Sequence, residues 1–117
     1  MTLSELYEAL GGNYNDVLER LDDPETVEHF LIAFSADPSY SQLIQSLIEN
    51  DIQSAFRAAH TLKGVSLSLG LKRLGNVSGA VCENLRAGIR PSDTLLKQLE
   101  TEYRCVISSI NKFQNSK

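Results

Sequence analysis

Residues 59–70 read AHTLKGVSLSLG, and this segment is the most informative part of the chain. It places His60 within an amphipathic helical pattern, with Lys63 at i+3 and Gly64 at i+4. Residues three and four apart share a helix face, so both lie beside the imidazole. A glycine inside a helix lowers the stability of the helix by about 1 kcal/mol relative to alanine, so we expect Gly64 to have a compensating advantage. An unobstructed approach to His60 by a bulky reactant would provide one.

Apolar residues recur at helical spacing along the whole chain, and no segment has the convincing alternation of a strand. Gly11 and Gly12 end a first short helix. Asp23 followed by Pro24 begins another. The predicted helices span residues 3–10, a short stretch ending at 21, 24–34, 40–48, 51–69, 71–86 and a last segment that starts at 91. In helix 24–34 the recurring apolar residues are Val27, Phe30, Leu31 and Phe34. We expect an all-α fold, an antiparallel four-helix bundle with short N-terminal helices capping one end.

Size and composition narrow the class of protein. The 117 residues suffice for one compact domain, which we expect to span residues 1–117. The initiator Met and the coverage of a full domain favour a free-standing protein, which we expect to be a monomer. A net charge of −4 provides no basic surface for nucleic acid. We expect no membrane segment, because no apolar run approaches the roughly 18 residues that span a bilayer and the N-terminus is no signal peptide. Cys82 and Cys105 are too few for a disulfide framework, so we expect a cytoplasmic protein.

At the residues around His60 the chain resembles the histidine-containing phosphotransfer (HPt) family, the helical phosphoryl carriers of multistep two-component phosphorelays. The family pattern is His-x-hydrophobic-Lys-Gly, followed by small residues, a hydrophobe and a glycine. The residues that match it are His60, Leu62, Lys63, Gly64, Ser66, Leu69 and Gly70. Residues 71–74 also resemble the start of the family's next helix, and the predicted helix order extends the resemblance over nearly the whole chain.

The resemblance implies a function and a set of partners. His60 would accept a phosphoryl group from the aspartate of a receiver domain and pass it to a second receiver, while Lys63 stabilises charge and Gly64 gives access. Receiver domains of response regulators are the expected partners, together with a hybrid histidine kinase. Mg²⁺ is expected on the receiver only, so this chain should need no metal or cofactor. It has no ATP-binding pattern, so we expect a carrier and not an enzyme. The alternative is a helical adaptor of the same fold that does not carry phosphate.

His60, Lys63 and Gly64 each have a structural interpretation as well. His60 lies near the boundary between the apolar arc of the helix and solvent, and an isolated histidine there is more often just hydrogen-bonded to a neighbouring helix. Lys63 could instead lie along Phe56 and Leu67 with its ammonium in water. Gly64 could mark a helix crossing, but it lies about 160° from the centre of the apolar arc, which favours the access interpretation. The three residues together, in the spacing of the family, favour phosphoryl acceptance.

Other residues near His60 are candidates for partner binding and for orienting the imidazole. Leu67 is predicted to dock an apolar patch of a partner, inside a polar rim formed by Arg57, Thr61 and Ser68. In many relatives a Gln or Glu of the next helix orients the imidazole, and counting from the motif places that position at Cys82. A thiol is a poor substitute, so Glu83 and Ser78 are alternatives. His29 is expected to be an ordinary surface residue.

Overall fold

Seven α-helices follow one another along residues 1–116, the part of the chain that this computed structural model describes. Their bounds are α1 (Leu3–Ala9), α2 (Tyr14–Leu21), α3 (Pro24–Phe34), α4 (Ser39–Ile48), α5 (Ile52–Ser68), α6 (Lys72–Arg86) and α7 (Asp93–Asn115). No strand occurs in this range. The predicted all-α class is therefore confirmed, and the predicted helix ends agree with the observed ones to within two residues.

Side-chain caps explain where several helices begin. The Thr2 hydroxyl accepts from the Glu5 amide while the Glu5 carboxylate accepts from the Thr2 amide, which is the reciprocal capping box. At the start of α5, the Asp51 carboxylate accepts from both the amide and the hydroxyl of Ser54, at 3.1 and 2.8 Å. These hydrogen bonds hold the pKa of the Asp51 carboxyl below its usual value. The cap fixes the first turn of the helix that presents His60.

Helices α4 to α7 form the four-helix bundle. Consecutive helices pack on one another and are joined by short connections, so neighbours run antiparallel. Tyr40 of α4 and Tyr103 of α7 close the ring, because their rings stack with centroids 3.9 Å apart and planes only 6° from parallel. The predicted bundle is confirmed, with α4 as its first helix and α7 as its last.

The N-terminal helices cover the end of the bundle where α5 stops and α6 starts. The Tyr7 hydroxyl donates to the Leu69 carbonyl at 2.6 Å in a buried contact, and burial raises the pKa of this phenol well above its usual value. Arg20 of α2 donates to the carbonyls of Leu67 and Ser68 at 3.1 and 2.8 Å. These bonds provide donors for helix-end carbonyls that have no partner within α5. The predicted capping role of the short helices is confirmed.

Gly70 allows the chain to turn under this cap. Its φ of +71° lies in the left-handed region, and a Cβ there would overlap the side chain of Val17. A Cβ at Gly12 would overlap the Gly70 carbonyl oxygen. The backbones of the two turns therefore approach as closely as glycine permits, which joins the cap directly to the α5–α6 corner.

Helix α3 differs from the prediction at one apolar position. Val27, Leu31 and Phe34 are buried, but Phe30 is 45% exposed although it shares their helical spacing. The Phe34 ring packs toward the ring of Tyr103, with centroids 6.2 Å apart, so α3 turns that edge to the bundle. Phe30 is left beside α5 at the surface.

Replacing Tyr7 by Phe removes the hydroxyl that bonds to Leu69 and leaves a buried carbonyl without that donor. We expect Tyr7→Phe to lower the free energy of unfolding by about 1–2 kcal/mol, measured by urea denaturation. Tyr14→Phe is the matched control, because its ring packs on that of Tyr7 at 5.6 Å and its hydroxyl makes no hydrogen bond among residues 1–116. This control should change the free energy by less than about 0.5 kcal/mol. Equal effects of the two substitutions would contradict the assigned role of the Tyr7 hydroxyl.

Candidate functional site

His60 lies on the outward face of α5. Its neighbours Ala59 and Leu62 are fully buried, whereas His60 itself is exposed to solvent. The imidazole meets the ring of Phe56, one turn earlier, edge-on with centroids 6.0 Å apart. Within the described residues no group forms a hydrogen bond with either ring nitrogen. Both nitrogens are thus available to an incoming reactant. The alternative interpretation, a histidine that is hydrogen-bonded to a neighbouring helix, finds no support.

Gly64 leaves an open space one turn beyond His60. It has ordinary helical φ, and a Cβ added to it would meet nothing within 4 Å. A glycine at a helix crossing would instead face neighbouring atoms at contact distance. The geometry therefore agrees with the access interpretation of Gly64.

Lys63 rests against α6 and has no acidic partner among residues 1–116. A Cβ added to Gly79 would lie 3.6 Å from Cδ and 3.7 Å from Cε of Lys63. The methylene groups of the lysine side chain therefore pack over this glycine. The alternative interpretation of the sequence, with this stem along Phe56 and Leu67, did not foresee the contact with α6. None of the ion pairs found in residues 1–116 includes Lys63. Its ammonium can therefore serve an external anion.

The four predicted partner-binding residues lie around His60 on different sides. Leu67 packs over Gly75 of α6 and remains 39% exposed. Thr61 and Ser68 line the side of α5 that faces α3. Within α5 itself, the Thr61 hydroxyl donates to the carbonyl of Arg57 at 3.1 Å. Arg57 is exposed on the side of α4. These residues border the histidine but do not form one continuous rim.

None of the three candidates for orienting the imidazole forms a hydrogen bond with it within residues 1–116. Cys82 is a free thiol with no exposed surface, and it belongs to the bundle core. Ser78 is buried too, and its hydroxyl has no hydrogen-bond partner in the part of the chain that the structure covers. The Glu83 carboxylate accepts from Arg86 at 3.3 Å, and that guanidinium lies 5.1 Å over the Phe56 ring. Cys82 and Ser78 are thus buried in the core and Glu83 is paired with Arg86, so none of the three predicted residues holds the imidazole in place.

A groove between α3 and α5 borders His60, and the sequence interpretation missed it. This α3–α5 groove has a volume of about 590 Å³. The residues that line it are Leu21, Phe30, Ala33, Phe34, Asp37, His60, Thr61, Gly64, Val65, Ser68 and Leu69. A signal was present in the run Phe-Leu-Ile-Ala-Phe at residues 30–34, because five consecutive apolar residues exceed what one buried helix face can hold. Phe30, Ala33 and Phe34 of α3 form the wall of the groove that lies opposite α5.

The arrangement of metal-binding side chains and the apolar character of the helices bear on the type of site. Among residues 1–116, no group of three or more His, Cys, Asp and Glu side chains is arranged to hold a metal ion. In the same range, no helix combines the length and the apolar character needed to cross a membrane.

An exposed histidine on a four-helix bundle, with a cation and an open glycine within one turn, defines the class of helical phosphocarriers. The model of the Hpt domain family matches residues 32–107, well over half of the chain, including His60, Lys63 and Gly64. The chain therefore belongs to the Hpt domain family, whose members carry phosphoryl groups on histidine in phosphorelays and are not enzymes. No curated protein and no solved structure gives a significant match. The match leaves out α1, α2 and most of α3, which form the cap and one wall of the α3–α5 groove.

The open space at Gly64 predicts a gain in stability on substitution. Gly64→Ala should raise the free energy of unfolding by up to about 1 kcal/mol, because alanine suits the helix and meets no neighbour. Gly75→Ala is the comparison, because its Cβ would overlap Leu67 and the shift of that side chain offsets the gain. Both values follow from urea denaturation. A gain at Gly75 as large as that at Gly64 would mean that Leu67 does not rest on α6 as described.

Proposed function

We propose that this protein is a phosphorelay intermediate that accepts a phosphoryl group on His60 from a receiver-domain aspartate and passes it to another receiver. One observation carries the proposal: on one face of α5, an exposed imidazole with no hydrogen bond among residues 1–116 is followed by Lys63, which forms no ion pair among those residues, and by the open space at Gly64. These three features suffice for an acceptor of a protein-bound phosphoryl group, because they supply a nucleophile, a cation and access. Phosphoryl transfer asks for little covalent chemistry from the protein beyond positioning and charge stabilisation.

The transfer step balances without a further reactant. The lone pair of Nε2 forms a bond to phosphorus as the bond between phosphorus and the aspartyl oxygen breaks. The aspartate leaves as a carboxylate, and the imidazole ring becomes cationic while Nδ1 keeps its proton. Lys63 stabilises the negative charge on the phosphoryl oxygens as the group moves. Transfer to the next receiver is the same step reversed. The Mg²⁺ belongs to the receiver, so no metal or cofactor is required here.

Residues around His60 would form the docking surface for the receiver. Its polar and apolar contacts would come from the predicted partner-binding residues on several sides of α5, which are Arg57, Thr61, Leu67 and Ser68. The α3–α5 groove adds an apolar surface that reaches Gly64, and Phe30 is its most exposed aromatic residue. Aromatic residues in such positions often dominate the energy of a protein interface. A receiver that reaches His60 across Gly64 would therefore cover Phe30.

The competing hypothesis is an adaptor of the same fold that binds partners without carrying phosphate. The observation that favours it is that Cys82, at the position from which many relatives orient the imidazole, is a thiol buried in the core. Both hypotheses place the protein in the cytoplasm with receiver domains and a hybrid histidine kinase. Free thiols at Cys82 and Cys105 agree with a reducing compartment. Phosphorylation itself separates the two hypotheses.

His60→Gln should abolish labelling when the protein is incubated with a phosphorylated receiver, because glutamine has no nucleophilic nitrogen. The wild-type label should be acid-labile and base-stable and should map to His60. The free energy of unfolding should change by less than about 0.5 kcal/mol, because the side chain is exposed. His29→Gln, a substitution of an exposed histidine on α3, is the matched control and should retain full labelling.

Two results would contradict the proposal. Labelling that persists in His60→Gln would place the acceptor at another residue. A wild-type protein that binds receivers and never becomes labelled would support the adaptor hypothesis.

Phe30→Ser should weaken receiver binding by about 1–2 kcal/mol, a roughly five- to thirtyfold higher Kd, because it removes an aromatic group from the docking surface. Labelling by phosphoramidate, a small phosphodonor, should be unchanged. Ile48→Ser is the matched control, since Ile48 is 68% exposed at the end of α4 and does not line the α3–α5 groove. Kd is measured by titration calorimetry. Equal Kd values for Phe30→Ser and the wild type would exclude the groove from the interface.

A further inference from the structure

The contact between Lys63 and Gly79 assigns a role to a residue of α6 that lies outside the histidine motif. We propose that Gly79 is a positioning residue: its missing side chain leaves a seat on α6 for the stem of Lys63, which holds the ammonium on the His60 face. The inference rests on the proposed function, because it concerns how Lys63 meets the phosphoryl group.

Distances define this seat. A Cβ at Gly79 would lie 3.6, 3.7 and 4.0 Å from Cδ, Cε and Cγ of Lys63, all within van der Waals contact. The lysine is half-buried, so its stem lies against α6 over most of its length. A stem held in this way keeps fewer conformations than a lysine in free solvent. The ammonium is therefore placed before any partner arrives.

The seat belongs to a repeated pattern between α5 and α6. Gly75 lies one turn before Gly79, and the side chain of Leu67 packs over it. Leu67 in turn lies one turn after Lys63 on α5. Two glycines four residues apart on one helix thus face two long side chains four residues apart on the other. Side chains at this spacing lie above one another on the same helix face. The pattern fixes the register of the two helices at the level of His60.

The acidic residues near the seat leave the Lys63 ammonium available to an external anion. Glu83 lies one turn beyond Gly79 on α6, and its carboxylate is bonded to Arg86 at 3.3 Å. Lys63 forms no ion pair with Glu83 or with any other described acid. Contact with the carbon stem orients Lys63 without neutralising it. A phosphoryl oxygen would then be its first anionic partner.

The size of the residue at position 79 distinguishes a seat from simple helix packing. Alanine fits, because its Cβ would only touch the lysine stem. Leucine would occupy the space of that stem and push Lys63 off the helix. Helix propensity changes little between the two, because both residues are good helix formers. A difference between them therefore reports the position of Lys63.

A double-mutant cycle tests the inference, with single-turnover transfer from a phosphorylated receiver as the readout. Gly79→Ala should transfer at the wild-type rate. Gly79→Leu should slow transfer by about tenfold to a hundredfold, the loss also expected for Lys63→Ala when one charge-assisted contact is removed from the transition state. In the Lys63→Ala background, Gly79→Leu should add less than about a twofold effect, because it acts only through the lysine. Ala80→Leu, the same bulk on an exposed neighbour, is the control.

Several results would overturn the inference. Multiplicative slowing in the double variant would show that position 79 acts on the receiver directly, and an unchanged rate in Gly79→Leu would show that no seat is needed. Circular dichroism checks folding, and Gly79→Val enters the same cycle if the leucine variant does not fold. In the wild type, nuclear Overhauser effects should join the Gly79 α-protons to the δ- and ε-protons of Lys63, and their absence would remove the seat. That spectrum does not depend on phosphorylation, so it separates failure of this inference from failure of His60 to accept phosphate.

Discussion

The packing of α5 against α6 is the constraint on which the site depends. Helix α5 buries Ala59 and Leu62 completely and must still present His60 to solvent. To bury these residues and still expose the histidine, α5 must pack closely against α6 along one narrow face. Gly75 and Gly79 permit this approach on the side of α6, and the long side chains of α5 fill the space they leave. The contact that completes the core thus also sets which groups surround the histidine.

The N-terminal helices extend a bundle whose central part is common to the family. The family match starts at residue 32, so Tyr7 and Arg20, which donate to the last carbonyls of α5, lie outside it. So does Phe30, at the outer wall of the α3–α5 groove. The histidine and its immediate neighbours belong to the shared part. The α3–α5 groove beside the histidine is thus built in part from residues outside the matched range.

The sequence was sufficient for the helices and for the residues beside His60, because both depend on local rules. Caps such as Asp51 and breaks such as Gly70 mark helix ends within a few residues, and i+3 and i+4 spacing places Lys63 and Gly64 beside the imidazole. Contacts between helices are a different matter. Helical periodicity shows which face is apolar but not which neighbour it meets, so the seat at Gly79 and the exposed face of Phe30 required the structure. Counting from the motif reached Cys82, yet only the packing shows that this side chain points into the core.

The hydrogen bond from Tyr7 to Leu69 joins positions 62 residues apart, and this separation affects how the chain folds. Helices α4 to α7 can assemble from neighbours in sequence, whereas the cap can form only after the far end of α5 exists. Contacts between distant residues form more slowly than local ones because a long loop must first be closed. During synthesis α1 leaves the ribosome well before the residues that it will cover. The first helix of the chain is thus among the last to reach its place.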